Sequence, residues 1–307
     1  MAATVPADVH EGGRVAGERE TASPPARAAP VTKRAVRALF RTLPRTALTY
    51  DLGKLLTRTI LRPERHTWPV DATFAGRVPM TLDLGALTAN DLYCLDDHYE
   101  ATTLRLWRTL ARDARGILDV GSHMGAFALL AAAENRHARI LAVEADEALA
   151  RQLGIHARPF RNVAVACAAV APRAEAVWFC PAPGNEGGGL VARERPPGVP
   201  GHRVQARTLS DVCRQAGLNV VDLVKLDVEG LEHALLTEDE EFLRAFEPRH
   251  LLVEIRRPRQ RTWRSDDIFA TLARRGYRAQ RVQGLFALPW LKDHDLANWH
   301  VTRISGG

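Results

Sequence analysis

The stretch Ile117-Leu-Asp-Val-Gly-Ser-His-Met-Gly-Ala-Phe127 decides the fold: a short apolar run reaches two glycines, Gly121 and Gly125, and an Ala- and Leu-rich helix follows over 126–133. A strand that turns through glycine into a helix is the opening unit of a doubly wound α/β sheet. Such sheets bind ligands at the carboxyl ends of their strands, where strand order reverses. Glycine at that point lets the backbone approach a ligand that a Cβ would exclude. Asp119, at the strand end, can orient the loop or meet a cationic ligand group.

Downstream, Ile140–Val143 reads as a second strand and Glu147–His156 as a second helix. Glu144 ends the second strand 25 residues beyond Asp119, where an acid can accept both hydroxyls of a ribose. These features suit either a dinucleotide enzyme or a methyltransferase, and the loop discriminates. The dinucleotide fingerprint is GxGxxG, whose middle glycine admits a pyrophosphate. Here His123 holds that place and the spacing is GxxxG, which suits a nucleoside without phosphates, such as S-adenosyl-L-methionine.

Strand and helix keep alternating. Strands are expected at 163–170, 176–180, 223–226, 250–255, 277–282 and 299–304, and helices at 209–216, 231–246 and 266–274. That order argues a mostly parallel sheet covered on both faces. Residues 181–201, crowded with Gly and Pro, read as a loop that can order over a ligand.

The densest cluster of ionisable groups is Val221-Asp-Leu-Val-Lys-Leu-Asp-Val-Glu-Gly-Leu-Glu232. It sets Lys225, Asp227, Glu229 and Glu232 in and just past a buried strand, and an unpaired buried charge costs several kcal/mol. Mutual pairing or a site is required. Lys225 is expected to neutralise Asp119 or Glu254, and Asp227 either to act in the site or to cap the next helix.

Together, Asp119-Val-Gly-Ser-His-Met-Gly125, Glu144-Ala-Asp146 and Lys225-Leu-Asp-Val-Glu-Gly-Leu-Glu232 resemble the motifs of the FkbM family of S-adenosyl-L-methionine-dependent methyltransferases. Leu251-Leu-Val-Glu-Ile255 is similar to the family's following strand, and His98-Tyr-Glu100 to a Tyr-Glu step before the domain. The likeness spans about 95–285, with two departures: His123 for the usual Asn and Ala145 for the usual Pro. It implies a class I methyltransferase, Rossmann-like fold, α/β and doubly wound, with a mostly parallel seven-stranded sheet and an antiparallel last strand. It further implies methyl transfer to a hydroxyl of a small molecule, natural product or glycan. Gly121, Ser122 and Gly125 would line the methionine moiety, Glu144 the ribose and the backbone near Ala168 the adenine. Tyr99, Glu100, Asp119 and His123 complete the expected cofactor set. Asp227 is the first candidate base, followed by Glu229 and His233; a metal held by Asp227 and Glu229 is weakly supported by spacing, and none is assigned.

Upstream, residues 1–32 read as a disordered tail and 33–98 as a helical and hairpin extension ahead of a methyltransferase domain at 99–305. Val36, Leu39 and Phe40 recur at helical spacing among arginines, and 48–61 forms a second basic amphipathic stretch. Such helices can touch an acidic membrane surface, though packing on their own domain is the commoner use. Phe74–Leu84 reads as a hairpin turning at Gly76-Arg77, and 100–112 as a helix.

The chain has 307 residues and a formal net charge of +6, with basic residues that are nearly all arginine. The four cysteines form no CxxC pair, so neither a zinc site nor a disulfide framework is suggested. A cytoplasmic location is expected, with no transmembrane segment. No Asn-Pro-Pro-Tyr-like segment is present, and Cys180-Pro181 reverses the order of a cytosine-methylating nucleophile, which disfavours nucleobase substrates. The arginine run at 256–264 keeps an RNA methyltransferase open as an alternative, and the basic helices a non-catalytic scaffold.

Overall fold

Ile117 and Leu118 pack into opposite faces of one sheet, and both are fully buried. Covering on both faces is why the central strands read as unbroken apolar runs rather than alternating ones. The computed structural model describes residues 9–11, 27–63, 69–181, 189–228, 231–256, 265–282 and 296–304.

In chain order the elements are β1 (Val9–Glu11), α1 (Val31–Phe40), α2 (Ala47–Thr59), β2 (Pro69–Phe74), β3 (Val78–Asp83), α3 (Leu87–Leu95) and, after a 3₁₀ turn at Asp96–His98, α4 (Ala101–Ala111). The central part comprises β4 (Gly116–Val120), α5 (Ala126–Glu134), β5 (Arg139–Glu144), α6 (Glu147–Ala157), β6 (Val163–Cys167), β7 (Ala176–Pro181), β8 (Gly189–Ala192), β9 (His202–Gln205) and α7 (Leu209–Gln215). The chain continues through β10 (Leu223–Leu226), α8 (Glu232–Thr237), α9 (Glu240–Phe246), β11 (His250–Arg256), α10 (Ser265–Arg274), β12 (Tyr277–Arg281) and β13 (Leu296–Arg303).

Seven strands stand in the order β6-β5-β4-β10-β11-β13-β12, and β1 adds a short antiparallel edge beside β6. The last strand, β13, runs antiparallel between β11 and β12, as the sequence implied. β4 has β5 on one side and β10 on the other, so strand order reverses there. The crevice at the carboxyl ends of β4 and β10 is therefore the natural ligand position.

Several elements depart from the expectations. The run 181–201 carries strand β8, which pairs with β7 across Cys180 and Leu190. Its residues, Gly-Leu-Val-Ala, show no alternation, so pairing rather than pattern makes it a strand. Helix α3 was not anticipated: it is buried nearly all round, with Asn90 and Asp91 among its buried residues, so it has little periodicity to read. β1 falls within the stretch expected to be a tail.

Helix α1 also faces differently from its pattern. Leu39 is 55% exposed, while Lys33 is only 3% exposed. Lys33 Nζ donates to Asn90 Oδ1 (2.5 Å) and to the Arg62 carbonyl (3.1 Å). The Arg37 guanidinium donates to the carbonyls of Tyr93 and Thr73 and pairs with Asp96 at 3.0 Å. α3 and the hairpin present carbonyl and carboxylate groups on this side, so the cations turn inward. The residues of β2, β3 and α3 share one apolar cluster with β4, α5 and α6, and Thr88 and Leu92 of α3 line the crevice.

Candidate active site

Asp119 and Lys225 are register partners on adjacent parallel strands β4 and β10. Residues two apart on a strand share a face, so Lys225 and Asp227 project on the same side. Lys225 Nζ donates to Asp227 Oδ2 at 2.7 Å and lies 4.7 Å from the centre of the Phe127 ring. Burial alone would lower the lysine's pKa, but Asp227, Asp119 and Glu100 together raise it above its usual value. Asp119 is one of its charge partners, as expected, while the direct hydrogen bond goes to Asp227, which the i, i+2 geometry delivers. Asp227 does not cap α8: the residue before that helix is Leu231, and Glu232 instead accepts from the Val228 N–H at 2.8 Å.

The glycine loop lies opposite. Gly121 has φ +77°, and a Cβ on it would fall 1.8 Å from the Asp227 carbonyl oxygen. Gly125 has φ +98°, and its Cβ would meet Leu153 and Leu129. Gly121 is therefore required by the close approach of the β10 backbone, and it also lines the cleft; at Gly125 the left-handed backbone and the two leucines both disfavour a side chain. His123 also adopts a left-handed conformation, φ +51°. Asn and His tolerate that region better than most residues, which accounts for either one at this place in the motif.

Glu144 organises the loop from β5. Its Oε2 accepts from the His123 N–H (2.7 Å) and its Oε1 from the Asp146 N–H (2.9 Å). Burial raises its pKa, partly offset by those two donors. Asp146 in turn caps α6 by accepting from Leu149 N–H at 3.0 Å.

A cleft with about 980 Å³ of unfilled space, part of it open to solvent, runs between these groups. Of the sequence-predicted residues it brings together Tyr99, Glu100, Asp119, Gly121, Ser122, His123, Glu144, Ala168 and Asp227. Gly125 packs behind the wall, and His233 sits half-buried on α8 outside the lining set. Glu229 and the arginines at 257–264 lie outside the described residues. Sequence reading missed Thr88 and Leu92 of α3, and Gly189 and Val191 of β8, because neither element was legible.

The charges in the cleft do not balance. Asp119, only 1% exposed, keeps one oxygen on the Ala128 N–H (3.0 Å), while its Oδ1 is buried without a hydrogen-bond partner among the described residues. Glu100 Oε2 is in the same position. Burial raises the Asp119 carboxyl to about 6, with Lys225 pulling down and Asp227 pushing up. Glu100 is raised for the same reasons. It also sits at φ 44°, ψ 43°, a strained conformation for a non-glycine residue. Orphaned buried acceptors and surplus negative charge fit a ligand carrying ammonium and sulfonium groups, which is the chemistry of S-adenosyl-L-methionine.

Comparison with known proteins agrees. The family model described as the methyltransferase FkbM domain matches residues 119–279, just over half of the chain. No curated protein matches the sequence. Among solved structures, an S-adenosylmethionine-dependent methyltransferase from Agrobacterium tumefaciens superposes with TM-score 0.43 at 8% identity, covering 80% of this chain and 72% of that one. A Thermotoga maritima O-methyltransferase gives 0.40 at 13%, covering 68% and 66%. Aeropyrum pernix fibrillarin, with natively bound S-adenosyl-L-methionine, gives 0.39 at 16%, covering 66% and 74%. Overlaps this loose carry no argument about substrate. On the extent of the family match, the chain belongs to the FkbM methyltransferase domain family and is an S-adenosyl-L-methionine-dependent methyltransferase.

Proposed function

We propose that the enzyme methylates a hydroxyl oxygen of a small molecule, natural product or glycan. The observation that carries this reading is the Asp227 carboxylate at the end of β10, held by Lys225 at 2.7 Å and lining the cleft. When bound, S-adenosyl-L-methionine supplies a methyl group on a sulfonium that departs as a neutral thioether. The protein's remaining work is alignment and proton removal, since a neutral hydroxyl is a weak nucleophile.

In this reading Gly121 and Ser122 border the methionine portion, with Gly125 supporting the loop from behind. Glu144 meets the ribose, and the backbone at Ala168 borders the adenine. Asp119, His123, Tyr99 and Glu100 enclose the reacting end, and Asp227 takes the hydroxyl proton. Glu229 and His233 remain secondary candidates for that role. A divalent metal is not invoked.

The test is incubation with methyl-labelled donor and fractionated cell extract. Label should appear in an alkali-stable ether of a small molecule or glycan. Asp227→Asn should lower transfer at saturating donor by about 10²–10⁴-fold. Label confined to RNA, or to protein, overturns the proposal.

A further inference from the structure

The carboxylates of the cleft outnumber its cations. Lys225 is the cation common to Asp119, Asp227 and Glu100, and each of these three acids acts on it. With all three ionised, the group carries a surplus of two negative charges in a largely buried site. Asp119 Oδ1 and Glu100 Oε2 are oxygens that nothing among the described residues satisfies, and both residues line the cleft. Buried acceptors of this kind need a donor or a positive charge from outside.

The two ligands the site must handle differ in that respect. S-adenosyl-L-methionine carries a sulfonium that its product, S-adenosyl-L-homocysteine, has lost as a thioether, while both keep the ammonium and carboxylate of the amino acid. We infer that Glu100, together with Asp119 and Asp227, forms a cation-selective cup that holds the charged donor more firmly than the neutral product. This rests on donor use alone and not on the identity of the acceptor.

The fold explains why Glu100 is the adjustable member. Asp227 already has the lysine ammonium, and Asp119 has a backbone donor from α5. Glu100 comes from outside the sheet, at the left-handed turn that starts α4, and lines the cleft with Thr88 and Leu92 of α3. The charged and titratable groups facing it are Lys225 and Asp227 from β10, Lys54 from α2 and Tyr99 beside it. Tyr50 of α2 and Asp91 of α3 face Tyr99 in turn. Glu100 has Lys54 and the already shared Lys225 as its cations, so a further positive charge in the cleft has most to offer it.

A protonic consequence follows. Asp119 and Glu100 hold protons to higher pH than ordinary carboxylates, because they are buried and lie near Asp227. A cation entering the cup favours their ionised forms and expels those protons. The product, which keeps the ammonium but has lost the sulfonium charge, expels fewer of them. Donor binding is therefore accompanied by proton release near pH 6, where Asp119 is half-titrated, and the release fades by about pH 8.

Titration calorimetry on the full chain, in two buffers of different ionisation enthalpy, tests this with the donor and the product as separate ligands. The expected result is net proton release on donor binding near pH 6, little near pH 8, and a clearly smaller release for the product near pH 6. Glu100→Gln should weaken donor binding about tenfold while changing product affinity by less than about twofold. Equal proton release for the two ligands, or equal weakening of both by Glu100→Gln, overturns the inference. If the variant does not fold, the proton counts on the native protein still decide. Failure of both ligands to bind is a distinct result: it removes donor use itself, and the inference with it.

Discussion

Lys225 and Asp227 lie two residues apart at the end of β10, and the ammonium donates to the carboxylate at 2.7 Å on the side of the sheet that carries Asp119 and Phe127. A buried pair of this kind is weak evidence for stability by itself, since two charges must be taken out of water. Breaking it by removing one partner is costly, because the other is left uncompensated.

Lys225→Met should therefore destabilise the protein by about 3–5 kcal/mol in urea unfolding. It strips the shared cation from three carboxylates. Adding Asp227→Asn to it should recover part of the loss. An unchanged unfolding midpoint in the single variant would mean that the ammonium is not the counterion of the cluster.

Two glycine substitutions separate backbone strain from steric conflict. Gly76, in the β2–β3 turn, has φ +67° and open space around the position of a Cβ. Gly76→Ala should cost about 1–2 kcal/mol, the penalty of the left-handed region. Gly121→Ala carries the same penalty plus a contact 1.8 Å from the Asp227 carbonyl oxygen. Its loss should exceed about 4 kcal/mol, in the exceptional range for one substitution. Equal effects in thermal unfolding would show that the two chain segments separate easily.

Asp119 should trade stability for binding. Its folded pKa, about 6, lies above its ordinary value of 3.8. A group raised in this way favours the fold most below its unfolded pKa, and that contribution is lost as pH rises through 6. Asp119→Asn should thus raise stability at pH 8 by about 1–3 kcal/mol relative to its effect at pH 4, while weakening donor binding. A variant that destabilises equally at both pH values would contradict the burial account.

Asp222 gives the opposite sign. Burial pushes its pKa up, but Arg115 and Arg249 overcome this and hold it down at about 2. Arg115 Nε and the Arg115 N–H donate to Oδ2 at 3.0 and 2.8 Å, and Arg249 Nε to Oδ1 at 3.1 Å. Both arginines are more than half exposed, so solvent screens the pairing. The stabilisation, about 1–2 kcal/mol after that discount, is present above about pH 4 and lost as pH falls toward 2. Asp222→Asn should flatten this acid limb of the stability profile.

Glu144→Ala should weaken S-adenosyl-L-methionine binding by about 1.5–3 kcal/mol, the worth of charge-assisted bonds, as read from the ligand's shift of thermal unfolding. Undiminished affinity would remove Glu144 from the ribose role and leave it as the loop's organiser through His123 and Asp146.

The sheet was legible because its signals are local. Ile117–Val120, Ile140–Val143 and Leu223–Leu226 are short apolar runs bounded by turns and helices, and burial on both faces leaves that mark in any sequence. α3 and β8 were not legible: one buries polar and apolar residues alike nearly all round, and the other is a strand only by pairing with β7. With them went four residues of the cleft wall, Thr88, Leu92, Gly189 and Val191. α1 was found, but its orientation was not, since nothing in its spacing told that Lys33 and Arg37 would find carbonyls and carboxylates to face.

By itself, the sequence determined the succession of the central strands and their covering helices, the glycine loop, and which acids stand at strand ends, because these follow from the periodicity and chemistry of neighbouring residues. Only the tertiary structure decided which charge meets which. Lys225 is shared among Asp119, Asp227 and Glu100, residues drawn from two strands and a helix start up to 127 positions apart, and pairing across such distances is set by strand register and by where α4 starts. It likewise decided why Gly121 is glycine: the nearest obstacle is the carbonyl of Asp227, a backbone atom more than a hundred residues downstream.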